Sequence, residues 1–216
     1  MRIYLFRHGQ AVPNDEERVP WDDAPLTERG IQEATEVWRY AQDGGIARIY
    51  TSPLERALAT ARIISENLHT KYVIRPNLQD RKYGSVSREK WEDVGGIRKN
   101  LDKDPHYSPP DGESYIQVEA RVVPELRHIL QLHDDAIGIV GHGEISRIII
   151  ASHFGIPFEK SSGIGHPTSC MYILDTKEQT LVHWWDGTKY YGEFAEQLFD
   201  REGRLRPESR ERSQRN

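Results

Sequence analysis

Cysteine is nearly absent: Cys170 is the single one among 216 residues. This excludes an internal disulfide framework and any cysteine-based zinc site. It fits a reducing, cytoplasmic setting. Long apolar runs are missing too. Ile3–Phe6 is only four residues long before the charge at Arg7. A signal peptide needs an apolar core of about 7–15 residues and a membrane span about 20, so neither is expected. No repeat period appears. Positive charge is not in excess, since 29 Lys and Arg face 34 Asp and Glu for a net charge of -5. Nucleic-acid and membrane partners both want a basic face and are not expected. What is there suffices for one core. Apolar residues make up 37%, and the 17 glycines bring that to the lower edge of the globular range.

The pattern predicts strands alternating with helices. Ile3–Phe6 reads as a buried strand that ends in Arg7-His8-Gly9. A helix carries Ile31, Ala34, Val37, Trp38 and Ala41, with Thr27 as N-cap and Gly44-Gly45 at its end. Ile46–Tyr50 is a second strand. Ser52 is read as the N-cap of a helix with Pro53 in its first turn and apolar positions from Leu54 to Leu68. Tyr72–Ile74 is a third strand. Residues 80–112 break the alternation and read as a lid insertion with a short helix or two. Glu113–Leu132 is a helix that Pro124 should kink. Ala136–Val140 is a strand followed by Gly141-His142-Gly143, and Ile145–Phe154 is a helix. Ser169–Leu174 and Leu181–Trp185 are late strands joined by a turn. The expected architecture is a three-layer α/β/α sandwich around a mainly parallel sheet. It forms one domain over 1–200, followed by a mobile tail of mixed charge over 201–216.

In such sheets ligands sit beyond the carboxyl ends of strands, and both histidine motifs follow a strand directly. Moving a phosphoryl group without a metal takes a nucleophile, fixed positive donors for the non-bridging oxygens and an acid for the leaving group. An imidazole at a strand end can be the nucleophile, and a neighbouring guanidinium can hold two oxygens. Arg7-His8-Gly9-Gln10 with Asn14, Ser52-Pro53-Leu54-Glu55-Arg56-Ala57 with Thr60-Ala61, and Gly141-His142-Gly143 supply those residue types. No His-x-x-x-His or carboxylate–His spacing supports a metal site, so His153 and His166 read as structural.

In this order the motifs resemble the histidine phosphatase superfamily, with its phosphoglycerate-mutase-like fold. The resemblance runs from Arg7 to the strand at Leu181–Trp185. It implies that His8 becomes phosphohistidine and that Arg7, Arg56 and His142 bind the phosphoryl oxygens. Gly9, Gln10, Asn14 and Gly143 would line the same pocket. The family's acid/base carboxylate sits in a Leu-x-Glu-x-x-x-Gly segment. Here the segment is Leu78-Gln79-Asp80-Arg81-Lys82-Tyr83-Gly84, which puts an aspartate, one methylene shorter, in that place. Glu113 and Glu144 are the reserve candidates.

Tyr83 and the pair Arg98-Lys99 resemble substrate-gripping residues of the cofactor-dependent phosphoglycerate mutase branch. The shorter chain and Glu144, which replaces the asparagine of that branch, argue against a mutase, because a carboxylate there should repel an anionic substrate. The implied function is a metal-independent phosphatase for small phosphomonoesters that needs no cofactor. Two alternatives stay open. One is a phosphoglycerate mutase, which would need a bisphosphoglycerate primer. The other is a phosphate- or phosphopeptide-binding protein with weak turnover. Substrate and oligomeric state are open as well, with a homodimer as one option.

Overall fold

A computed structural model describes residues 1–161, 164–168, 170–185, 188–189, 198–200 and 203–209. Its centre is a seven-stranded sheet. In chain order the strands are β1 (Arg2–Arg7), β2 (Ile46–Thr51), β3 (Tyr72–Ile74), β4 (Ala136–Gly141), β5 (Cys170–Asp175), β6 (Thr180–Trp185) and β7 (Thr188–Lys189). They lie side by side as β3-β2-β4-β1-β5-β6-β7. The first four run parallel, while β5, β6 and β7 extend the sheet antiparallel. The parallel half matches the alternating sequence, and the late hairpin adds the antiparallel half. Ser169, read as the start of β5, lies outside the described residues.

The strands alternate between two cores, as the two-residue period requires. Ile3, Leu5, Ile137 and Ile139 pack on one face with Val118, Val122, Ile129, Ile145 and Ile149. Those partners come from helices α5 (Tyr115–Gln131) and α6 (Gly143–Phe154). Tyr4, Phe6, Ile49 and Val140 point the other way, toward Val37, Ala57, Ala61 and Ile64. Those belong to α2 (Glu28–Val37) and α3 (Glu55–Asn67). The short helices α1 (Val12–Asp15), α4 (Ile97–Lys103) and α7 (Phe158–Ser161) are the other α-helices among the described residues.

Thr27 caps α2 as expected, accepting from the Gly30 amide. Ser52 does not cap α3: the cap position is Leu54, with no side-chain bond. The Ser52 hydroxyl accepts from the Leu54 amide at 3.3 Å and is bonded to His142. Helix α5 runs unbroken across Pro124. The lid at 80–112 holds one helix, α4, and a single 3₁₀ turn at Gly84–Val86.

The tail needs a correction over part of its length. Residues 203–209 are held to the body. The Leu181 amide donates to the Gly203 carbonyl at 2.8 Å, and Leu205 joins Leu198 and Phe199 in the core. A single apolar side chain, Leu205, pins this charged stretch, and one residue leaves no periodic signal. Residues 201–202 and 210–216 lie outside the described residues.

Candidate active site

The carboxyl ends of β1, β2 and β4 are tied together by backbone bonds. The His8 amide donates to the Gly141 carbonyl at 2.9 Å, and the Ser52 amide donates to the Val140 carbonyl at 3.1 Å. This fixes Arg7, His8, Ser52 and His142 on one rim. Arg56 enters from the first turn of α3, and Asp80 from the loop after β3.

His8 is buried, and its Nδ1 lies 2.7 Å from the Gly9 carbonyl oxygen. A carbonyl only accepts, so Nδ1 carries the proton and Nε2 carries the lone pair. Arg56 Nε donates to that Nε2 at 3.2 Å. Burial pushes the His8 pKa well below its usual value, and the charges of Arg56, His142 and Arg7 push the same way. The imidazole is therefore neutral at pH 7, as a nucleophile must be.

The buried Arg56 is fully engaged. Beyond His8 it donates from Nη1 to the Trp21 carbonyl at 2.8 Å and from Nη2 to Asp80 Oδ2 at 3.0 Å. His142 Nε2 pairs with the Ser52 hydroxyl at 2.8 Å, and its Nδ1 lies 3.5 Å from Asp80 Oδ2. Burial, followed by Arg56 and Arg7, lowers its pKa well below the usual value. The two imidazole centroids are 5.2 Å apart. Arg7 is anchored by the His166 carbonyl.

Arg7, His8, Arg56 and Asp80 open into a cavity of about 570 Å³, a size suited to a small organic phosphate. Its walls include Arg7, His8, Arg56, Asp80, Asn14, Tyr83, Arg98 and Gly143, all expected from the sequence. Gly9, Gln10, Lys99 and the buried His142 do not line it. The Gly9 carbonyl orients His8, and its amide donates to Thr60. A Cβ on Gly9 would stand 2.1 Å from the Gly30 carbonyl oxygen, so the tight crossing of these two loops requires glycine. The Gln10 side chain accepts from the Thr27 hydroxyl at 2.9 Å. Lys99 stays off the wall because it follows Arg98 on α4, and adjacent helical residues point about 100° apart. Arg98 itself stacks over Trp91, 5.6 Å from the ring centroid.

The reserve carboxylates have other partners. Glu113 is gripped by Arg121 Nε at 3.0 Å and Nη2 at 2.9 Å, and it accepts from the Lys82 amide. Burial raises its pKa, but these bonds outweigh it and hold the group low. Arg121 also donates to the carbonyls of Asn77, Gln79 and Asp80, so the pair clamps the loop that carries Asp80. Glu144 accepts from Arg81 and from Arg147, the latter at 3.0 Å. Arg81 and Arg147 both line the cavity, and sequence reasoning missed both. Arg81 is 63 positions from its partner, and no local pattern encodes that contact. Among the described residues no group of three or more His, Cys, Asp or Glu is placed to hold a metal ion. No helix among them is long and apolar enough to cross a membrane.

Fold and site together place the molecule among enzymes of phosphoryl transfer. A model of the histidine phosphatase superfamily (branch 1) matches residues 3–187, and the chain belongs to that family. It is similar to a Cronobacter sakazakii protein named "Probable phosphoglycerate mutase GpmB", with 30% identity over 73% of this chain and 76% of the relative. It is likewise similar to a Bartonella henselae 2,3-bisphosphoglycerate-dependent phosphoglycerate mutase, with 31% identity over 73% of this chain and 84% of the relative. Among solved structures, the alpha-ribazole phosphatase of Shigella flexneri superposes with a TM-score of 0.73. It shares 25% identity over 81% of this chain and 90% of that one. A mycobacterial glucosyl-3-phosphoglycerate phosphatase shares the fold, with a TM-score of 0.74 and 21% identity over 80% of this chain and 88% of that one.

Proposed function

We propose that this protein is a phosphatase that hydrolyses small phosphomonoesters by two displacements at His8. The observation that carries the reading is the neutral His8 ring, its Nδ1 bonded to the Gly9 carbonyl and its Nε2 lone pair set against Arg56 Nε. When the phosphoryl group docks, that Nε–H passes from His8 to a non-bridging oxygen, and Arg7 and His142 take up the others. His8 Nε2 attacks phosphorus while the ester oxygen leaves with a proton from Asp80. Water then attacks the phosphorus of phospho-His8 and loses a proton to Asp80. Phosphate departs, and the Nε2 lone pair is restored.

Asp80 is favoured over Glu113 and Glu144 as the acid/base group because it alone of the three contacts Arg56 and lies beside His142. The guanidinium groups supply the positive charge that phosphoryl transfer demands. The reaction is proposed to need neither metal nor cofactor, and the buried thiol of Cys170 fits a cytoplasmic setting.

Turnover of phenyl phosphate tests this directly. Wild-type activity should survive EDTA, and His8→Ala should lose several orders of magnitude. Activity retained by His8→Ala, or abolished by EDTA, contradicts the reading.

A mutase is the second reading, favoured by the names of the relatives and by Tyr83 and Arg98 in the cavity wall. It would require a bisphosphorylated primer. Mutase and phosphatase rates measured side by side decide between the two, and mutase activity at background eliminates the second.

A further inference from the structure

The charged side chains of the cavity wall bear on which esters enter. Six arginines and four carboxylates line the whole cavity. With the histidines neutral and Asp80 holding the proton it gives to the leaving group, six positive charges face three negative ones, so the wall favours an anion. Glu144 is central to this balance. It sits in the first turn of α6, where the helix dipole favours an anion. Its Oε1 is shared between Arg81 and Arg147. The side chains of Arg81 and Glu144 are only 2% and 10% exposed, so the pair is held away from water. A second anion from a ligand would have to compete with this carboxylate for the same two guanidinium groups, and would leave it buried beside a like charge. Tyr83 senses the same field. Burial, then Asp80 and Glu144, push its phenol upward, ahead of the opposing pull of Arg81 and Arg147. Trp91, Leu101, Pro13, Pro20 and Ile164 add apolar surface to the same cavity wall.

We propose that Glu144 is a specificity-determining residue: by occupying Arg81 and Arg147 it admits phosphomonoesters whose phosphoryl group is their only anion, on a neutral and partly apolar body. Substrates with a second carboxylate or phosphate are turned away. The inference rests on the reading of this cavity as a phosphomonoester site.

The test uses two non-hydrolysable ligands that differ in one group, propylphosphonate and 3-phosphonopropionate, titrated calorimetrically into the full chain with inorganic phosphate as reference. Wild type should bind propylphosphonate at least about tenfold more tightly, the scale set by like charges brought together in a buried site. Glu144→Gln should erase or invert that ratio by freeing Arg81 and Arg147, and Glu144→Ala serves if the glutamine variant does not fold. Equal binding of the two ligands by wild type, or a ratio unmoved by either variant, overturns the role of Glu144. The phosphatase reading stands or falls separately, on His8-dependent turnover of phenyl phosphate. Failure of all three ligands to bind overturns the phosphate site and this inference with it.

Discussion

Arg56 Nε donates to His8 Nε2 across 3.2 Å, and the same guanidinium donates through Nη2 to Asp80 Oδ2 at 3.0 Å. One buried side chain thus fixes the proposed nucleophile and the proposed acid in register. Lysine cannot reproduce this planar fork. Arg56→Lys should lower kcat/KM for phenyl phosphate by about 10²–10³, the range seen when one preorganised donor is lost from a transition-state site. A loss of less than about threefold would show that the fork is dispensable.

Asp80 can be probed through the leaving group. A poor leaving group needs a proton in the transition state, and a good one does not. Asp80→Asn should cost about 10²–10⁴ with an alkyl phosphate and far less with p-nitrophenyl phosphate. Equal losses on both esters would assign the acid role elsewhere.

Both histidines are held neutral in the fold, so stability must depend on pH. The sign follows from proton counts. Below about 6.5 the unfolded chain protonates these rings while the folded state resists, so unfolding takes up protons and stability falls with pH. Above that value their contribution is complete. Each ring adds a slope of up to about 1.4 kcal/mol per pH unit in the window just below 6.5. Urea melts at pH 7.5 and 5.5 should show a lower midpoint at 5.5 than at 7.5. The difference should shrink in His8→Gln and again in His8→Gln/His142→Gln. An unchanged difference would mean that these rings titrate normally.

Gly9 and Gly30 cross at van der Waals limits. A Cβ on Gly9 would meet the Gly30 carbonyl oxygen at 2.1 Å, and one on Gly30 would meet the Gln10 carbonyl oxygen at 2.0 Å. Backbone atoms cannot step aside as a flexible side chain would. Gly9→Ala should destabilise by about 3 kcal/mol or more, at or beyond the upper end of overpacking costs. Because the Gly9 carbonyl orients His8, activity should fall with it. Thermal melts together with phenyl phosphate turnover check both effects.

Much of the site was legible because its residues stand where strands end. Arg7, His8 and His142 follow apolar runs that could only be buried strands, and Arg56 opens a helix with clear periodicity. Asp80, one methylene shorter than the family's glutamate, is in contact with Arg56. Glu144 could be read in sequence only as a bare charge, because its partners were invisible there. Arg81 and Arg147 pair with it through folding, and side-chain pairing over 63 positions has no local signature. Gln10 and Lys99 stand off the cavity wall for a related reason: a motif names neighbours along the chain, and the backbone sends neighbours in different directions. Ser52 was misassigned as a cap because Ser-Pro before a helix usually is one, whereas here its hydroxyl is paired with His142.

The central claim is that His8 Nε2 carries the phosphoryl group during turnover. Rapid-quench labelling with a ³²P aryl phosphate tests it most directly. The account predicts an acid-labile, alkali-stable label on His8, bonded at Nε2, formed and lost at rates compatible with turnover and absent from His8→Ala. Turnover without such a label, or with the label on another residue, would contradict it.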